Sequence, residues 1–272
     1  MGGEPDLTHR GRFLGRWKGQ VLRRTGATVA WALRHRRGKT YRPGITVLVV
    51  NWNSLPFLRV TVDAIRQMSP ADVRILVIDN ASSDGSVEFL NSRPDVDLLR
   101  LPLNVGHGVA LDIGAATVDT EYLAVLDVDA FPVSPSWLDE SVRALEAGHQ
   151  IAGAHMHRNF IHPCFLVTRT PMLHRMDLTF RPVGSIGRGE RSAPLFLDVG
   201  EALSQRVIVK FGGSQALHRF EITSLEGPSM AGAVFGGLVY HNMFATQGDG
   251  QGSALDLWER AIATHLGAQG GG

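Results

Sequence analysis

The chain has 272 residues, 44% of them hydrophobic and 19% charged, a globular composition able to bury one large core or two modest ones. A net charge of +1 argues against a nucleic-acid binder. The single cysteine, Cys164, excludes an internal disulfide and a cysteine-based zinc site and fits a reducing compartment.

The charge is unevenly spread. Before Tyr41, Arg10, Arg12, Arg16, Lys18, Arg23, Arg24, Arg34, Arg36, Arg37 and Lys39 face only Glu4 and Asp6, so the head is cationic and the remainder mildly acidic. A helix is expected from about Phe13 to Arg36, with Phe13, Trp17, Val21 and Leu22 at helical spacing. Such a basic, Trp-bearing helix either lies on an anionic membrane surface or packs on the main domain as an accessory element. The apolar run Ala27 to Leu33 is too short and too closely flanked by arginines for a secretory signal. No segment approaches the roughly 20 apolar residues that span a bilayer. The expected location is cytoplasmic, with membrane association at the inner face if the first of these two alternatives holds. Residues 1–42 are set apart as a basic helical extension, 43–266 as the main domain, and 267–272 as a Gly-rich disordered tail.

From Pro43 short apolar runs alternate with amphipathic stretches. "ITVLVVNWN" (45–53) is a strand buried on both faces, "LPFLRVTVDAIRQM" (55–68) a helix, "VRILVIDN" (73–80) a second buried strand and "SVEFLNS" (86–92) a short helix. "VDLLRLP" (96–102) follows as a third strand, "GVALDIGAATV" (108–118) as a helix and "YLAVLDVD" (122–129) as a fourth strand. This βαβαβαβ alternation calls for a doubly wound, mostly parallel α/β sheet flanked by helices. Residues 136–266 are less regular: "IAGAHM" and "CFLVTRTPML" are candidate strands, "DVGEALSQRVIV" a helix and "GAVFGGLVYHN" a further apolar segment. No internal repeat is present.

Open parallel sheets bind ligands outside the carboxyl ends of their strands. That rule selects Asn51 and Asn53 after the first strand, Asp79, Asn80 and Asp84 after the second, Asn104 and Gly106 after the third, and Asp127 and Asp129 after the fourth. Asp127 and Asp129 leave one face of the strand wherever its geometry persists. Two carboxylates so close raise each other's pKa unless a cation lies beside them, and Mg²⁺ or Mn²⁺ completed by substrate phosphates is the natural partner. "NVGHG" (104–108) adds glycines before a helix N-terminus, where anions are favoured. Together the stretches describe a pocket for a nucleotide diphosphate and its metal.

"VLVVNWNS", "VIDNASSDGS", "LNVGHGVALDIGAA" and "LAVLDVDAFP", in this order and spacing, resemble the nucleotide-binding half of family 2 glycosyltransferases of the GT-A fold, over about residues 45–135. The resemblance implies inverting transfer of a sugar from a nucleotide diphosphate sugar to an acceptor hydroxyl on a glycan, a lipid-linked intermediate or a small metabolite. It implies that Asp79 contacts the base or ribose and that Asp127 and Asp129 bind the metal, Asp129 more directly. Leu111 and Asp112 depart from the family's usual Asn or Arg. "FIHPCFLVTRTPML" (160–173) is similar to the family's acceptor segment, with His162 and Pro163 at its centre. "FLDVGEALSQRV" (196–207) is similar to the stretch that carries the catalytic base, without its usual Glu-Asp pair. Asp198, read as a helix N-cap, and Glu201, three residues on along the same helical face, are the candidates. "VYHNMFAT" (239–246) is similar to the late strand end whose histidine completes the metal site or touches the diphosphate, which makes His241 the third candidate ligand.

Among rival readings, a nucleotidyltransferase needs a Gly-rich, Lys/Arg-bearing loop where "NWNSLPF" stands, and a dinucleotide oxidoreductase needs a missing Gly-x-Gly-x-x-Gly. A non-catalytic sugar- or nucleotide-binding module with a degenerate fold stays open because the Glu-Asp pair is absent.

Overall fold

The structure is a computed structural model that describes residues 25–26, 28–35, 40–156, 158–183, 185–186, 195–227, 231–243 and 251–267, without the side chains of 185, 186, 195, 196 and 251–253. The first half of the expected N-terminal helix, with Trp17, and the end of the tail lie outside these residues. Within them, residues 28–34 form helix α1. There follow β1 (Arg42–Asn51), α2 (Leu55–Met68), β2 (Arg74–Asp79), α3 (Ser86–Asn91), β3 (Val96–Arg100), α4 (His107–Thr117), β4 (Thr120–Asp127), β5 (Ala130–Pro132) and α5 (Trp137–Glu146). The remainder comprises β6 (Ile151–His155), β7 (Ile161–Arg169), α6 (Thr170–Arg175), β8 (Ser185–Ile186), β9 (Leu195–Phe196), α7 (Glu201–Lys210), β10 (Leu217–Phe220), β11 (Ile222–Glu226), β12 (Gly232–Phe235), β13 (Val239–Asn242) and α8 (Gln251–His265).

Seven strands form the main sheet in the order β10-β6-β7-β4-β1-β2-β3, with β7 antiparallel to both its neighbours and the other pairings parallel. The expected mostly parallel α/β sheet is therefore present. Its strands alternate between two cores: Val47, Val49, Ala124 and Leu126 face one, and Leu48, Val50, Leu123 and Val125 the other. A strand buried on both faces needs apolar residues at every position, which is why these runs show no polar alternation. A smaller antiparallel sheet, β11-β12-β13-β5, continues from the end of β4.

The second half differs from its sequence pattern at four places. "CFLVTRTPML" is not one strand: β7 starts earlier, at Ile161, and ends at Arg169, where Pro171 in the first turn of α6 favours a helix start. "GAVFGGLVYHN" is a hairpin, because Gly236 (φ 60°) and Gly237 (φ 70°) together supply the left-handed turn that joins β12 to β13. Gly200 (φ 80°) stops the chain from entering α7 before Glu201, so Asp198 does not cap that helix and does not share a helical face with Glu201. Helix α8 lies beyond the expected elements, and it buries Leu257, Trp258 and Ala261 at helical spacing.

The described part of the N-terminal extension packs on the main domain. Arg34 is buried, and its guanidinium pairs with Asp112 on α4 at 3.0 Å and with Asp177 at 3.2 Å. Asp112 also accepts from Thr179 Oγ1 (2.5 Å), Phe180 N (2.8 Å) and Arg181 Nε (3.1 Å). The position at which the chain departs from the family's usual residue is thus a clamp joining α1, α4 and the 179–181 segment. Among the described residues no helix is long and apolar enough to cross a membrane.

At Gly153, β6 lies so close to β7 that an added Cβ would overlap the Phe165 carbonyl oxygen and stand 2.9 Å from Leu166 Cα. Gly153→Ala is expected to cost about 2–3 kcal/mol of stability. A urea midpoint equal to that of the unsubstituted protein would contradict this close approach.

Candidate metal and nucleotide site

The strand register assembles the site. Asn51 pairs with Asp79 at the ends of β1 and β2, and Val50 with Asp127 at the end of β4. The β-geometry ends at Asp127, so the two aspartates do not share a regular strand. The turn through Val128 and Asp129 is held by Thr61 Oγ1 on α2, which donates to the carbonyls of Val128 (2.8 Å) and Ala130 (3.0 Å). Pairing of β13 with β5 sets His241 opposite Ala130, and Asn242 N donates to Asp129 O at 2.8 Å. One ligand atom each from Asp127, Asp129 and His241 consequently lie within 4.8 Å of one another.

Three imidazoles surround Asp127. His241 Nε2 is 3.5 Å from Asp129 Oδ1 and 3.8 Å from Asp127 Oδ2, His162 Nδ1 is 3.9 Å from Asp127 Oδ2, and His107 Nε2 is 3.1 Å from Asp127 Oδ1. The His107 ring is not aligned for a hydrogen bond, which leaves the buried Asp127 Oδ1 without such a partner. Burial pushes the Asp127 carboxyl up, but its histidine neighbours, His107 first and then His241, outweigh it and hold the group well below the usual carboxylate range. Burial pushes His241 down, while Cys164 and Asp129 raise it well above an ordinary histidine. For His162, burial is likewise opposed by Cys164 and Asp127, which draw its pKa up to about 8. Its Nδ1 nevertheless accepts the Cys164 N–H at 3.1 Å, a bond only the neutral ring makes, and we assign the neutral tautomer on that geometry. Two carboxylates and an imidazole, with a buried carboxylate oxygen lacking a donor, fit a divalent cation such as Mn²⁺.

The expected donor residues interlock. Asp79, fully buried, accepts from Asn51 Nδ2 (3.1 Å) and Ser82 N (3.0 Å). Asn80 donates to Asn104 Oδ1 (3.0 Å) and accepts from Val105 N (3.0 Å), while Gly106 N donates to Asn104 Oδ1 (2.9 Å). Asn53 Oδ1 accepts Ser83 N at 2.7 Å. Asp84 accepts the first N–H of α2 from Leu55 (2.8 Å) and that of α3 from Ser86 (3.1 Å), together with the Ser86 hydroxyl (2.6 Å). Burial raises the Asp84 carboxyl, but these donors bring it below the usual value. Asp84 therefore caps two helices. Beside this network lies a cleft of about 340 Å³ lined by Ala81, Ser82, Arg100, Leu101 and Pro102. A larger cleft, about 810 Å³, opens at the amino ends of the strands, where Arg42, Arg66 and Arg74 pair with Asp95, Asp97 and Asp119. We place the site at the carboxyl ends, because the larger cleft consists of mutually neutralised charges at the wrong end of the sheet.

The start of α7 docks on the start of β7. A Cβ at Gly200 would stand 2.9 Å from Pro163 Cγ, and Ile161 N donates to Ser204 Oγ at 3.1 Å. The 198–201 turn is thereby set beside His162. Glu201 is buried, pairs with Arg158 at 3.1 Å and accepts Asp198 N at 2.9 Å, whereas Asp198 is exposed. Arg158 in turn lies 5.6 Å from the Phe160 ring centroid, and the Phe160 and His162 rings are 6.0 Å apart. His107 and Arg158 are the residues whose place at the site was not foreseen. For His107 the signal was present, since it opens the helix that follows "NVG".

An α/β sheet with a cleft and an acidic, histidine-bearing centre at its carboxyl edge is the arrangement expected of a GT-A type glycosyltransferase. Residues 46–186 match the family described as glycosyl transferase family 2, and the chain belongs to that family. It is 31% identical over 113 residues to "Succinoglycan biosynthesis protein ExoO" of Rhizobium meliloti, a stretch covering 40% of this chain and 32% of that protein. It is 28% identical over 93 residues to an "Uncharacterized glycosyltransferase" of Haemophilus influenzae, covering 33% of this chain and 37% of that one. The matched stretch thus spans about a third of the length of each of these relatives. Among solved structures, the mannosyltransferase PcManGT of Pyrobaculum calidifontis in complex with GDP-Man and Mn²⁺ is similar at 18% identity and a TM-score of 0.45, over 60% of this chain and 56% of that one. S. aureus TarS 1–349 in complex with UDP-GlcNAc is similar at 16% identity and a TM-score of 0.45, over 51% and 48%.

Proposed function

We propose that the protein transfers a sugar from a nucleotide diphosphate sugar to an acceptor hydroxyl, with inversion at the anomeric carbon and dependence on a divalent cation. The observation that carries this reading is the convergence of Asp127, Asp129 and His241 at the carboxyl edge of the sheet. These three residues would hold Mn²⁺ or Mg²⁺, and the imidazole in the set favours Mn²⁺. When bound, the cation supplies positive charge against which the nucleoside diphosphate departs. The turns carrying Asn51, Asn53, Asp79, Asn80, Asn104 and Gly106 form the wall on which the nucleotide rests. Asp84 contributes by fixing the starts of α2 and α3.

Asp198 takes the acceptor proton as the hydroxyl attacks. It is the accessible carboxylate of the 198–201 turn, and Glu201, buried against Arg158 and holding the Asp198 N–H, is its positioning residue. One base suffices for inversion, and no covalent intermediate is needed. Cys164 is fully buried and serves as a packing residue.

The test is nucleoside diphosphate release from a panel of nucleotide sugars with mixed hydroxyl acceptors, followed by NMR assignment of the product anomer. An anomer opposite to the donor's supports the reading, and a retained configuration sinks it. Asp198→Asn is expected to lower kcat about a hundredfold while leaving the donor KM nearly unchanged. An undiminished kcat would remove Asp198 from the role of base.

A further inference from the structure

We infer that α1 and the loop after β3 form a docking surface for an anionic lipid bilayer. Gly26 lies against α4: a Cβ there would overlap Val109 Cγ1 and stand 4.0 Å from Val105 Cβ. The start of the N-terminal helical segment is thereby placed beside the loop that carries Leu103, at the carboxyl end of the sheet. Arg34 faces inward and is neutralised by Asp112. Val29 and Trp31 of α1 are exposed, as are Leu103 and Trp52, the residue that follows β1 at the same end. Trp31 at 54% and Leu103 at 50% leave apolar surface open to water close to where residues 1–24 join the fold.

Those 24 residues contain Arg10, Arg12, Arg16, Lys18, Arg23 and Arg24 against Glu4 and Asp6. A basic stretch continuous in sequence with a helix that exposes tryptophan and aliphatic side chains is the combination that holds a protein at an anionic bilayer: the charges draw it to the surface and the apolar groups enter the headgroup boundary. A soluble polyanion would use the charge but would gain nothing from Trp31 and Leu103, and on that ground the bilayer is the partner. The inference does not depend on which sugar, if any, is transferred.

Co-sedimentation of the full chain with vesicles tests it. Phosphatidylcholine vesicles with about 30% phosphatidylglycerol should carry the protein down at low salt, and phosphatidylcholine alone should not. Trp31→Ser combined with Leu103→Ser should lower the partition coefficient at least fivefold with melting unchanged, since both side chains are exposed. Arg10, Arg12 and Arg16 changed together to Gln should lower it about a hundredfold, at on the order of fivefold per basic residue. Absence of the protein from anionic pellets overturns the proposal, as does binding that the Trp31/Leu103 variant leaves untouched. Retention on heparin without vesicle binding would assign the head to a soluble polyanion instead and equally overturn it.

Discussion

Asp129→Ala is expected to lower kcat/KM for sugar transfer by about a thousandfold, on the order of 4 kcal/mol of transition-state stabilisation. Asp129 sits at the turn between β4 and β5, with its carboxylate 3.5 Å from His241 and its backbone carbonyl accepting Asn242 N. The substitution removes the carboxylate and keeps the backbone bond, so the small sheet should stay paired and melting should change little. The loss should fall on kcat, because the charge it concerns develops as the diphosphate leaves. Steady-state kinetics with saturating Mn²⁺ checks this, and a decrease under tenfold would mean that Asp129 is not at the reacting centre.

Asp112→Ala is expected to destabilise the protein by about 3–5 kcal/mol, roughly a 10 °C fall in Tm. The Arg34 and Asp112 side chains are only 3% and 2% exposed, so removing Asp112 leaves the buried guanidinium with Asp177 alone of its two carboxylates. Phe180 N and the Thr179 hydroxyl also lose their acceptor. Arg34→Met with Asp112→Leu should recover part of the loss, because the two most buried charges go together and Asp177 and Arg181, which each lose a partner, are open enough to water to be solvated. A single-variant loss under 1 kcal/mol by urea unfolding would show that α1 is not held through this clamp.

The first half of the fold was legible because each strand is a short β-branched or aliphatic run and each helix has its own spacing. Leu55–Met68 has the bounds expected from its pattern, and the other elements as far as β4 fall within two or three residues of theirs. The second half depends on partners far along the chain. Gly200 ends the approach to α7 through a left-handed φ, a property a neighbouring Asp198 does not advertise, and so Asp198 read as a cap. His241 could be named from its likeness to a strand end, but only the pairing of β13 with β5 brings it to Asp129. Arg158 carries no local signal at all, since its role arises from a buried Glu201 that is 43 residues away in the chain. Asp112 looked like a departure from a ligand-binding pattern, and its meaning emerged only with Arg34 and Thr179 in contact.

The central claim is a metal-dependent nucleotide site at Asp127, Asp129 and His241. Its most direct test is thermal melting of the protein with UDP, GDP, dTDP and other nucleoside diphosphates, each with Mn²⁺ or with chelator, repeated on Asp129→Ala. A rise in Tm for a nucleotide that requires Mn²⁺ and disappears in the variant is the predicted result, about 2.7 kcal/mol of added stability at a hundredfold excess over Kd. A rise that survives chelation and the Asp129→Ala change, or no rise with any nucleotide, would contradict it.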